Sequence, residues 1–204
     1  MRQPQPEPKA NDTAERMLAA AARLFRTKGY EGTNTRELAA LLGIQKASLY
    51  YHIGKKEDLL YQLAVESLTH IRAKVESALG AQLTPLERVR ALIESHMAAA
   101  LADQDKHATM LTELRSLSPK RRADVLKMRD SYEKDLVRAT LEQAQKAGVI
   151  RNDIPAKHLG LALLNLLNWS IFWFRPKGEL TSSDLGKLLA SVFMDGVVAD
   201  RSRS

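Results

Sequence analysis

The chain has no cysteine. Disulfides, thiolate metal sites and cysteine nucleophiles are therefore excluded, and a reducing cytoplasm is the compartment that fits. No apolar run is long enough for a bilayer. The longest, residues 159–174, is interrupted by Asn165, Asn168 and Ser170, whereas a span needs ~20 apolar residues. The first eleven residues are polar, carry Pro4, Pro6 and Pro8, lack the apolar heart of a signal peptide and read as a disordered arm. Nowhere do apolar and polar residues alternate long enough to make a strand. The five histidines, His52, His70, His96, His107 and His158, show no metal-ligand spacing, and no Ser/His/Asp signature or glycine-rich phosphate loop is present. His96 and Glu113 can be drawn as an acid–base pair, but any long helical chain permits such a drawing. These absences point away from membranes, metals, cofactors and catalysis.

What is present is 204 residues, enough for one ordinary domain or two small ones with a real core. The net charge of +7 is unevenly spread. Residues 1–56 hold ten Lys/Arg against five Asp/Glu, and the remainder twenty-one against nineteen. The excess lies at the N-terminal end, as a polyanionic partner requires.

Apolar spacing predicts an all-α protein of nine helices. The first runs over 13–28, with Asp12 or Thr13 as cap, an inward stripe of Met17, Leu18, Ala21, Leu24 and Phe25, and Gly29 as its stop. Two short helices follow around a turn at Leu42-Gly43-Ile44, the second over 45–52. Thr33, Asn34 and Thr35 are candidate caps for the former. Gly43 suits the left-handed C-cap. A long helix from Lys55 or Lys56 to Leu79 links the N-terminal part to the rest. Thr84-Pro85-Leu86-Glu87 has the form of a capping box with proline at the first helical position. Helices near 107–114, 119–147 and 154–174 follow, and Ser182 or Ser183 caps the last.

In the second short helix, Leu49 and Ile53 point inward with Ile44. Gln45, Lys46, Ser48, Tyr50, Tyr51 and His52 form an outward rim of donors, one cation and two phenols, on an element that fits a DNA major groove. The segments Leu24-Phe25-Arg26-Thr27-Lys28-Gly29-Tyr30, Thr33 to Ala39, Gly43-Ile44, Ser48-Leu49-Tyr50-Tyr51-His52-Ile53 and Lys55 to Leu60 together resemble the N-terminal domain of TetR-family repressors over residues 13–63. The resemblance implies a helix-turn-helix domain over 13–56 after an arm at 1–12. It further implies a ligand-binding and dimerisation domain over 57–199, leaving a tail at 200–204. It puts Gln45, Lys46, Ala47 and Ser48 at base edges. Thr35, Tyr50, Tyr51, His52 and Lys56 would meet phosphates, and Arg36 either. Because one reading helix covers too few base pairs to specify a site, a homodimer on a palindrome is expected. Its surface would come from Leu159, Leu163, Leu166 and Leu167 with Leu185, Leu188, Leu189, Val192 and Phe193, some of which must also be core.

Both tryptophans and two amides fall within nine residues, Asn165, Asn168, Trp169 and Trp173, with Phe172 among them and Arg175 just beyond. Such a cluster suits a ligand with a large apolar part and polar attachments; it equally suits core or dimer interface. Glu113 to Pro119 and Asn168 to Gly178 resemble a TetR subgroup that controls fatty-acid, aromatic-acid or steroid-ring degradation and is released by acyl-coenzyme A thioesters. That resemblance implies an acyl chain among Met97, Met110, Leu114, Trp169 and Trp173, with Arg115 or Arg175 at the coenzyme. A sensor of cationic drugs and a regulator with no small ligand stand as alternatives.

Overall fold

The computed structural model describes residues 10–198; within them, the side chains of residues 10–13, 46, 52 and 53 are not described. Residues 1–9 of the expected arm, the tail, the caps Asp12 and Thr13, and the inward placement of Ile53 lie outside the described residues.

Among the described residues nine α-helices form the whole architecture, apart from one short 3₁₀ turn and a single antiparallel bridge between Ile150 and Val198. Helix α1 (Ala10–Gly32) starts three residues before the expected Thr13 and is broken at Gly29, where φ is 75°. α2 (Thr35–Leu42) is capped by Asn34, whose Oδ1 accepts from the Glu37 amide at 2.9 Å. Of the three candidate caps, Asn34 does the work, which leaves the Thr35 hydroxyl for another partner. Gly43 closes α2 with φ 66°, a conformation that costs a residue with a Cβ. α3 (Lys46–Ile53) has Gln45 as its N-cap, but the Gln45 side chain makes no capping bond.

α4 (Lys56–Ala78) is followed by α5 (Pro85–Ala102), which begins with the expected Thr84/Glu87 capping box. α6 (Gln104–Thr112) is capped by Asp103. The 3₁₀ turn Leu114–Ser116 leads into α7, residues 119–146, a continuous helix with π-helical geometry over Glu133–Arg138. α8 (Ala156–Trp173) and α9 (Ser182–Val197) complete the chain. Thr181 caps α9 in a box with Asp184, rather than the expected Ser182 or Ser183. No helix among the described residues is long and apolar enough to cross a membrane.

Two buried clusters hold these helices. The first packs Met17, Phe25, Leu38 and Leu49 against Leu59, Leu60 and Leu63 of α4. Met110, Leu114, Leu117 and Val125 also belong to it, so the N-terminal helices are rooted in helices far down the chain. The second is centred on α5, α8 and α9, with Ile71 and Val75 from the far half of α4. Burying a Leu, Ile or Phe contributes ~1.5–3 kcal/mol, so each cluster is a substantial core and α4 is common to both.

Candidate functional site: a reading face and an inner cavity

On α2 and α3 the buried side chains Leu38, Ala39 and Leu49 leave the other faces to solvent. Arg36, Gln45, Ala47, Tyr50 and Tyr51 are exposed, and Thr35, Ser48 and Lys56 are half-buried. Thr35 Oγ1 and Tyr50 OH share a hydrogen bond of 3.0 Å, which ties the start of α2 to the middle of α3. Tyr51 is 87 % exposed, against 42 % for Tyr50. The side chains of Lys46 and His52, expected at bases and phosphates, lie outside the described ones. Lys56 has a positioning role: its Nζ donates to the carbonyls of Tyr30 (2.9 Å) and Thr33 (3.1 Å) and stands 4.0 Å from the Tyr30 ring centroid. An ammonium has three donors, so one remains for a phosphate.

The residues expected at the ligand are not brought together. Met97 is fully buried in the second core, where the Ser170 hydroxyl reaches its sulfur at 3.6 Å. Leu114 belongs to the first core, and Arg115 is exposed. Trp169, Phe172 and Trp173 are exposed by 70, 41 and 50 % on the outer side of α8, and Arg175 is exposed beyond its end. Helical phase explains the split. At 100° per residue, Leu161, Asn165, Trp169, Phe172 and Trp173 share the outer side of α8, and Asn168 lies at its edge beside the half-buried Leu164.

Asn165, Asn168 and Met110 do meet, in an inner cavity of about 120 Å³ walled by five helices. α4 supplies Leu68 and Ile71, α5 His96, α6 His107, Met110 and Leu111, α7 Arg129 and Tyr132, and α8 the two amides with Leu161 and Leu164. Its polar groups form two short chains. His107 pairs through Nδ1 with the Ser67 hydroxyl (3.1 Å) and through Nε2 with Asn168 Oδ1 (3.2 Å). His96 Nδ1 pairs with Tyr132 OH at 2.7 Å, while its Nε2 is buried without a hydrogen bond of good geometry, the Asn168 side chain lying near enough to raise the imidazole's pKa against the effect of burial. Burial holds both imidazoles neutral. It lowers His96 to about 3, aided by the neighbouring His107, and His107 to about 4. Burial also raises the Tyr132 phenol above its ordinary range. The drawn pairing of His96 with Glu113 does not occur, because Glu113 accepts from the Tyr30 amide at 3.2 Å.

His96, His107, Tyr132, Ser67 and Arg129 escaped the sequence reading. The available signal was two histidines seated on otherwise apolar helix faces, next to Met97 and Met110. Among the described residues, no group of three His, Asp or Glu side chains is placed to hold a metal.

α6 belongs to both sites. One face lines the cavity through His107 and Met110. The opposite face grips α1: Thr109 Oγ1 donates to the Ala22 carbonyl at 3.1 Å, and Asp105 pairs with Arg26 at 2.7 Å. At the foot of α4, Glu57 accepts from the Ser118 amide at 2.9 Å, a bond that holds its carboxyl below the usual range, and Asp58 pairs with Arg121.

Comparison with known proteins agrees with this two-part layout. Residues 17–63 match the family of bacterial regulatory proteins described as the tetR family, and residues 82–197 match the tetracyclin repressor-like C-terminal domain. The HTH-type transcriptional repressor KstR2 of Mycobacterium tuberculosis is 26 % identical over 194 residues, covering 93 % of this chain and 95 % of that protein. The TetR-family regulator PfmR of Thermus thermophilus superposes with a TM-score of 0.81 at 36 % identity, over 88 % of this chain and 97 % of that one. AibR, solved with isovaleryl coenzyme A and operator DNA, superposes with a TM-score of 0.78 at 27 % identity, over 91 % and 98 %.

Proposed function

The chain belongs to the TetR family and is a transcriptional repressor with a C-terminal ligand-binding domain; on that premise we propose that it binds a palindromic operator as a homodimer and leaves it when an acyl-coenzyme A thioester enters the inner cavity. The observation that carries the reading is α6, whose two faces touch the cavity and the reading domain. A ligand that moves His107 or Met110 moves the groups that hold α1. The ligand shifts the equilibrium only by its differential affinity for the two arrangements. The expected transmitter, α4, shares the task, because it crosses both cores.

In this reading Gln45, Lys46, Ala47 and Ser48 choose the sequence, while Thr35, Arg36, Tyr50, Tyr51, His52 and Lys56 hold the phosphate backbone. The acyl class draws support from AibR, whose structure holds isovaleryl coenzyme A with operator DNA. The cavity wall includes Arg129 and no Asp or Glu, which disfavours a cationic drug. The dimer surface is the exposed side of α8 and α9. Leu159, Leu163, Leu167, Leu185, Leu189 and Phe193 are spent on the chain's own core, so the interface falls to Leu161, Trp169, Phe172, Trp173, Leu188 and Val192. Exposed aromatic patches of this kind mark association surfaces.

Selection of bound DNA from a random pool, with and without mixed acyl-coenzyme A thioesters, tests the proposal. A palindrome that is enriched alone and lost with the mixture supports it. A palindrome indifferent to the mixture removes the effector class, and no enrichment removes the operator claim.

A further inference from the structure

We propose that the inner cavity takes a short acyl group, and that the Nε2–H of His96 donates to its carbonyl oxygen. The inference rests on the effector reading above and narrows it to a size and an anchoring atom.

His96 is buried to 2 % exposure and has one nitrogen without a hydrogen bond of good geometry, at the wall of the cavity. The proton's position follows from the partners. A neutral imidazole carries one donor and one acceptor. If Nδ1 donated to Tyr132 OH, both the phenol proton and the Nε2 lone pair would be left over. If the phenol donates to Nδ1, only Nε2–H is left over. The second arrangement leaves one orphan instead of two, and a buried orphan is costly. The side chain therefore offers a donor. His107 already spends both nitrogens on Ser67 and Asn168. Met110, Leu111, Leu68 and Ile71 supply apolar wall, and no carboxylate lines the space. A group with an acceptor oxygen and a small apolar body matches this lining; an amine does not.

Volume sets the length. At ~30 Å³ for each group the size of a water or a methylene, about 120 Å³ holds about four such groups. The four carbons beyond the carbonyl of a branched five-carbon acyl group match that number, and a fused ring system is beyond it. Leu68 and Tyr132 also line a second groove of about 350 Å³ that carries Arg72 and Lys127 beside one carboxylate, Asp124. The end of the carrier nearest the acyl group has room there.

Calorimetric titration of the full chain decides the matter, with isovaleryl-coenzyme A, palmitoyl-coenzyme A and the isopentyl thioether of coenzyme A, which lacks only the carbonyl oxygen. The short thioester is expected to bind, the thioether about tenfold more weakly or worse, and the palmitoyl thioester more weakly than the short one. His96→Phe should abolish the difference between thioester and thioether, whatever it does to the affinity of each. Should that variant fold poorly, the ligand comparison on the unaltered chain still decides. Equal affinity for thioester and thioether, preference for the long chain, or no binding of the short thioester overturns the inference. The proposed function fails separately: there, the thioester binds with the expected preferences but leaves the operator complex intact.

Discussion

The reading face comes from two consecutive eight-residue helices, and its described side chains lie between Thr35 and Lys56. The inner cavity is the opposite case. Its walls come from five helices between Leu68 and Asn168, and its two buried histidines face partners from other helices rather than water. A surface site needs only the right residues in the right helical phase. An enclosed site needs the whole fold, because a buried polar group is tolerated only beside a partner supplied from elsewhere in the chain.

The sharpest way to break this contrast is to remove the floor of the reading face. Leu49 is fully buried, and Leu49→Ala should cost ~2–5 kcal/mol. Operator binding and the melting temperature by circular dichroism should both fall. Acid should act instead on the cavity. The two buried histidines stay neutral when folded but take up protons near pH 6.5 when unfolded. The unfolded state then binds more protons, so stability falls as pH drops below ~6.5, by up to ~1.4 kcal/mol per pH unit for each histidine. The slope should fade only near the folded values of about 4 for His107 and about 3 for His96. Urea midpoints at pH 7 and pH 5.5 measure it, and His96→Phe should remove about half.

Gln45→Ala should cost ~1–3 kcal/mol of discrimination at one base position, read by competition between operator variants, with thioester binding unchanged. Arg26→Ala should have the smallest effect. Its pair with Asp105 is part-exposed at both ends, so the loss of stability should be under ~1 kcal/mol by the same urea midpoints.

The same contrast explains what could be read in advance. The reading face was legible because its turn glycine, inward leucines and outward rim are neighbours in sequence. The helix count was legible from periodicity and from the Thr84-Pro85 start. The cavity was not. Grouping Asn165 to Arg175 by nearness in sequence joined different surroundings on α8: Asn168 turns to His107, and Trp169 and Trp173 turn outward. The partner of Asn168, His107, lies on α6 and the other cavity walls on α4, α5 and α7, and no local pattern announces that those helices meet. The apolar residues of α8 and α9 serve two surfaces: Leu163, Leu167, Leu185 and Leu189 went to the core and Leu188 and Val192 stayed outside, a division that only the packing decides.

The central claim is that α6 couples cavity and reading face, and one comparison tests it directly. Operator affinity is measured by fluorescence anisotropy with and without saturating isovaleryl-coenzyme A, for the unaltered chain and for a variant carrying Thr109→Val and Glu113→Gln, which loosens the grip on Ala22 and Tyr30. The ratio of the two affinities is the coupling between the sites. The account predicts that the variant still binds operator and thioester, with the ratio drawn toward one. An unchanged ratio would contradict it and place the coupling elsewhere.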